Sequence, residues 1–321
     1  MASRCRLLGL GLAVALVVAC GAEPLPPMRV GAVLWPGNES LFYAASRGYL
    51  VARDFRMVEI SGASDTIRAL RNGTIDAASL TLDEVVRAMQ DGADPVLLLL
   101  LDESHGADAV LARPGLASLA DLRGRRIGLQ VNSVGAYLLR RALDVGDVRS
   151  DEVQIVNVAP ELHLASLERG DVDAVATAEP FRSQLLGRGA IELFNSQEIP
   201  GEIADVLVVR RDYLEAHPQR AADLHHAWHQ ARLRAATADS VAGASARLGL
   251  SEPAFATMLA GLTIFDAPET EAVWQKQRER LLVDMTFIQA RLAEAGLISK
   301  RVPIEPLFQW PEQLAARIWR R

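Results

Sequence analysis

The residues best placed to bind a small molecule are short polar groups that each follow a strand-like run and precede a helix-like one. Asn132 and Ser133 come first. They stand after the apolar stretch Arg126 to Val131, and Val134, Leu138 and Ala142 then recur at the i, i+4 spacing of a buried helix face. The first N–H groups of a helix have no partner within it and carry the positive end of its dipole, so such a junction attracts polar ligands. The same design recurs at Trp35-Pro36-Gly37-Asn38 after MRVGAVL, at Ser61, Ser64 and Asp65 after Arg56 to Ile60, and at Thr81. Glu179, ahead of Pro180, ends a later strand and offers a carboxylate. Each has a plainer explanation as well. Trp35 can plug the core under its loop, Ser64, Asp65 and Asp83 can cap helices, and an acid followed by proline suits a helix start.

These junctions need elements to hold them. Strand-like and helix-like segments alternate from Met28 through Ala204, and Val96 to Leu101 is a continuous apolar run suited to a strand buried on both faces of a parallel sheet. Alternation of this kind predicts doubly wound α/β structure with ligand loops at the carboxyl ends of the strands. Ala204 to Val209 reads as a strand returning to the first unit. From Tyr213 onward the chain reads as mainly helical, ending on Phe308-Gln309-Trp310.

The order of several short motifs resembles the solute-binding proteins of ABC importers, in the branch that includes sulfonate, taurine, nitrate and thiamine-precursor binders. The motifs are Tyr43-Ala44-Ala45-Ser46-Arg47-Gly48-Tyr49, Gly73 with Asp76, Gly106-Ala107-Asp108, Asp121 to Ile127, Gly170 to Ala174, and Glu179-Pro180. The resemblance runs from about Met28 to about Asp212. It implies a type II periplasmic-binding-protein fold: two doubly wound α/β lobes joined by two crossing strands, with the ligand cleft between them. On this reading residues 28–105 and 205–321 form one lobe and 106–204 the other. The implied contacts are Trp35, Pro36, Gly37, Asn38, Ser61, Ser64, Asp65, Thr81, Asn132, Ser133, Val134 and Glu179. The implied activity is capture of a small polar solute, sulfonate-, nitrate- or pyrimidine-like, for a separate permease and ATPase. No cofactor is implied. An enzyme on the same fold, of the pyrimidine synthase or small-molecule lyase type, is the alternative.

Residues 1–19 read as a targeting segment, with Arg4 and Arg6 ahead of an apolar stretch from Leu7 to Val18. Val17-Val18-Ala19-Cys20-Gly21 resembles a bacterial lipobox, which implies lipidation at Cys20 and a membrane-anchored protein facing the periplasm or cell exterior. Residues 20–27 then form a proline-rich tether. The only cysteines are Cys5 and Cys20, so a chain starting at Cys20 has no disulfide and no thiolate metal site. Removing residues 1–19 takes away two arginines and no acid, changing the formal charge from −6 to −8. That acidity, without a basic patch, argues against nucleic acid as a partner. His225 and His229 share a helix face, but no third metal ligand stands at useful spacing.

Overall fold

The computed structural model describes residues 25–319. Eleven strands among these residues form two separate sheets. The first sheet collects β1 (Met28–Ala32), β2 (Phe55–Glu59), β3 (Ala77–Thr81), β4 (Pro95–Ser104), β10 (Ala204–Arg210) and β11 (Leu262–Ile264), in the order β11-β4-β10-β3-β1-β2. The second collects β5 (Asp108–Ala112), β6 (Arg126–Leu129), β7 (Gln154–Asn157), β8 (Ala174–Ala178) and β9 (Ile191–Asn195), in the order β7-β6-β8-β5-β9. The chain passes between sheets twice, after β4 and after β9.

Helices α1 (Glu39–Ser46), α2 (Ala63–Arg71) and α3 (Leu82–Gln90) alternate with the first strands. In the second lobe α4 (Val134–Val145), α5 (His163–Glu168) and α6 (Phe181–Gly187) do the same. The helical remainder comprises α7 (Arg211–Ala216), α8 (Pro218–Arg232), α9 (Ala238–Leu248), α10 (Glu252–Leu259), α11 (Glu271–Glu294) and α12 (Glu312–Trp319). Among the described residues no helix is long and apolar enough to cross a membrane.

The apolar run in β4 is buried on both faces, as its composition predicts. Leu97 and Leu100 feed one core cluster while Val96, Leu98 and Leu101 feed the other. Each buried aliphatic side chain of this size contributes roughly 1.5–3 kcal/mol. The expected parallel surroundings are corrected, however: β4 pairs antiparallel with β10 and with β11. A strand that returns from the other lobe enters pointing the opposite way, so burial alone does not fix direction. The parallel pairs are β1 with β2 and β3, and β6 with β7 and β8.

That inserted strand places polar side chains side by side. In register, Asp205 of β10 stands opposite Thr81 of β3 on one side and Asp102 of β4 on the other. In the second sheet Asp108, the first residue of β5, pairs with Ala178 at the end of β8. Both sets lie where the chain crosses between lobes, and the space between them is the cleft.

His225, which the sequence reads only as sharing a helix face with His229, lies in the core. It is buried against Trp310 and Trp319, at ring distances of 6.5 and 6.1 Å, and is not part of a solvated helix surface. Burial pushes its pKa down to about 3. Among the described residues no group of histidines, cysteines or acids is arranged to hold a metal ion.

Candidate functional site

A cleft of about 500 Å³ lies between the two sheets, lined from the first lobe by Trp35, Ser61, Gly62, Ser79, Thr81, Glu84 and Asp205, among others. The turn Pro36–Asn38 supports this wall from beneath. The Trp35 indole N–H donates to Asp102 Oδ1 at 3.0 Å. A Cβ on Gly37 would stand 2.0 Å from Asp102 Oδ2, so only glycine lets the turn close over that carboxylate. Asn38 is fully buried and donates to the Val33 carbonyl at 3.1 Å.

The opposite wall consists of Asp108, Gln130, Ser133, Val134, His163, Thr177, Glu179 and Phe181, with neighbouring backbone. Ser133 is the N-cap of α4, its hydroxyl accepting from the Gly135 N–H at 3.3 Å. The preceding N–H, that of Val134, crosses the cleft to Glu84 Oε1 at 3.3 Å. Glu84 Oε2 accepts from the Thr81 N–H at 3.1 Å, so one carboxylate serves the starts of two helices. Glu179 faces the cleft and also caps α6, accepting from Ser183 N–H at 3.1 Å and from Arg182 at 3.2 Å. His163 places Nε2 3.2 Å from the Val158 carbonyl, and burial pushes its pKa down to about 4, so the ring is neutral. Its N–H is committed to that carbonyl, leaving Nδ1 as an acceptor.

The electrostatics are one-sided. Glu59, Glu84, Asp108, Glu161, Glu179 and Asp205 all line the cleft. Among the described residues none that lines it is a lysine or arginine. Burial pushes the Asp108 carboxyl up to about 7, aided by the charges of Asp83 and Glu179 and opposed by the Ser104 hydroxyl and Arg182. Burial likewise pushes Glu84 up to about 7, with Asp83 adding to the shift. Asp102 and Asp205 sit so close that burial and their mutual repulsion push Asp205 well above the carboxylate range. A proton shared between the two relieves that repulsion.

The structure brings Trp35, Ser61, Thr81, Ser133, Val134 and Glu179 to the cleft. Pro36, Gly37 and Asn38 lie behind Trp35 in the buried turn. Ser64 is exposed on α2, and Asp65 in its first turn pairs with Arg68. Asn132 is exposed in a left-handed conformation, φ 62°, one residue ahead of the cap. Cys20 and the targeting segment lie outside the described residues. Ser79, Glu84, His163, Thr177 and Asp205 line the cleft and are not among the sequence candidates, while Asp108, a motif residue, has no contact role assigned. The Thr81-to-Glu84 capping spacing was a usable signal for Glu84. Nothing local marks Asp205, and the Asp108 motif does not reveal its place in the cleft, because both positions depend on the crossover.

Comparison with known proteins places this geometry. The taurine-binding periplasmic protein of Escherichia coli (strain K12) is 29% identical over 162 residues, 50% of each chain, so the match spans about half the length of that relative. The alkanesulfonate-binding protein SsuA from Xanthomonas axonopodis pv. citri, solved bound to MOPS, superposes with a TM-score of 0.77 at 21% identity, over 90% of this chain and 100% of that one. The desulfurization enzyme DSZB superposes with a TM-score of 0.66 at 18% identity, over 90% and 98%. At these identities the two superpositions establish a shared fold, the two-lobed periplasmic-binding-protein architecture. A sequence profile of the NMT1-like family matches residues 21–248, and with more than half its length matched the chain belongs to that family.

Proposed function

We propose that the chain is the solute-capturing component of an importer. It holds a small polar organic molecule in the cleft, closes its lobes around it, and delivers it to a permease driven by a separate ATPase. The observation that carries this reading is the cleft itself: a space between two lobes joined by two crossings, whose walls hold buried polar atoms with no partner among the described residues, namely Asp108 Oδ2, Ser79 Oγ and Thr177 Oγ1. Buried polar groups left unpaired are costly, and a bound molecule that pairs them recovers that cost. The two crossings supply the hinge for closure. Export, and retention at the membrane surface through a lipid on Cys20, complete the proposal.

Small-angle scattering with and without ligand tests it, combined with mass analysis of the recovered ligand. A binding protein becomes more compact and returns the molecule unchanged. A Cys20→Ala variant moves from the membrane fraction to the soluble exported fraction. A chemically altered molecule favours the second reading, an enzyme on this fold. Carboxyls held near neutrality, such as Asp108, also suit proton transfer and are the observation behind that alternative.

A further inference from the structure

Two features of the cleft bear on what fills it, and both build on the binding function proposed above. The first concerns the helix starts. An anionic ligand would be held by free N–H groups at the beginnings of helices. At α4 the Val134 N–H is given to Glu84, at 3.3 Å, and at α3 the Thr81 N–H is given to the same carboxylate, at 3.1 Å. At α2 no side chain caps the start, and Asp65 in its first turn is paired with Arg68. At α3 and α4 the Glu84 carboxylate stands where a sulfonate would sit.

The second feature is the set of unsatisfied groups. Asp108 is 2% exposed and lines the cleft, yet its Oδ2 has no hydrogen-bond partner among the described residues. Thr177 Oγ1 and His163 Nδ1 are also buried in the cleft wall without partners among the described residues. Two of these three atoms can only accept while the carboxyl is ionised, and among the described residues no lysine or arginine lines the cleft to donate to them. The apolar remainder of the wall includes the aromatic rings of Trp35 and Phe181. Aromatic faces and carboxylates together attract positively charged nitrogen on a hydrocarbon body.

We infer that the occupant is a small organic cation, an amine or protonated nitrogen heterocycle on an apolar body, whose N–H groups pair with Asp108 and its unpartnered neighbours. This sets the ligand apart from the sulfonates named for its relatives.

A charge series on one body tests it: benzylamine, benzyl alcohol and phenylmethanesulfonate, followed by thermal melting of the full chain and by calorimetry. Benzylamine should raise the melting midpoint progressively with concentration and bind at least tenfold more tightly than either companion. Asp108→Asn should erase that tenfold preference. Should that variant fail to fold, the order of the three probes on the parent protein still decides. Equal or tighter binding of the alcohol or sulfonate overturns the cation assignment and leaves the capture function standing. No response to any of the three at millimolar concentration overturns both.

Discussion

Glu84 Oε1 accepts a hydrogen bond from the Val134 N–H at 3.3 Å, joining α3 of one lobe to the first turn of α4 in the other. This contact is a clasp across the cleft, and it is also an anion fixed at a helix start. Both roles follow from the same carboxylate, whose burial pushes it up to about 7.

Glu84→Ala should therefore open an anion site. It removes the acceptor from the Val134 and Thr81 N–H groups, and it removes the charge that repels a sulfonate. We expect phenylmethanesulfonate to raise the melting midpoint of the alanine variant but not of the parent. Glu84→Gln keeps a carbonyl acceptor and should gain much less. Loss of the cap should cost about 1 kcal/mol. An alanine variant indifferent to the sulfonate would show that Glu84 does not occupy an anion position.

The Asp108 carboxyl gives a pH prediction with a definite sign. Its pKa rises from the ordinary 3.8 when unfolded to about 7 when folded, because of burial and the facing charges of Asp83 and Glu179, opposed by Ser104 and Arg182. Between those values the folded protein holds a proton that the unfolded chain has lost. The contribution of Asp108 is thus fully present below pH 4 and is lost as pH rises through about 7. Asp108→Asn cannot titrate, so its stability should fall less steeply across this window than the parent's. By pH 8 the variant should be the more stable by about 1–2 kcal/mol. Parallel melting curves against pH would rule this out.

What could be read in advance divides along local and non-local lines. Ser133 and Val134 were legible because the cap and the apolar spacing of α4 occupy adjacent residues. Trp35 was legible because it follows a strand and precedes a turn. Asp205 was not: its place beside Thr81 and Asp102 depends on β10 inserting antiparallel between β3 and β4, which no local pattern records. Asp108 was visible as a motif residue, yet its cleft position depends on where the crossing from β4 delivers it. The strands β9 and β11 carry little sequence signal because they sit at sheet edges and are only partly buried, which blurs the alternation that marks a strand. Gly37 and Asn38 had the right neighbourhood and the opposite orientation, since a turn can present either face to a cavity.

Gly62 offers a test of closure separate from ligand charge. A Cβ there would meet the Gln130 side-chain amide at 2.6 Å, across the cleft. Gln130 is only half-buried and ends in a movable amide, so the fold can yield. Gly62→Ala should lower stability by less than about 1 kcal/mol. It should nevertheless hold the lobes slightly apart, weakening benzylamine several-fold and enlarging the radius of gyration of the bound form. Unchanged affinity would place Gly62 outside the closing contact.

Gly37→Ala should act on the fold itself. The backbone there is not left-handed, so the obstacle is space. The new Cβ would lie 2.0 Å from Asp102 Oδ2 and 2.8 Å from Trp35 Nε1. Neither neighbour has anywhere to go, since Asp102 is fully buried and Trp35 is 6% exposed, with the indole committed to the same carboxylate. Overpacking of this kind costs about 1–3 kcal/mol, and the broken indole hydrogen bond adds to it. Gly243 is the natural control: it lies within α9 with nothing within 4 Å of an added Cβ. Alanine there should stabilise by about 0.5–1 kcal/mol, by restricting the unfolded chain and favouring the helix. Thermal melting of the two variants should therefore move in opposite directions. A shift in tryptophan fluorescence should accompany only Gly37→Ala, because only that substitution disturbs Trp35. Equal melting midpoints would mean that the turn relaxes away from Asp102, and the support it gives the cleft wall would then have to come from Asn38.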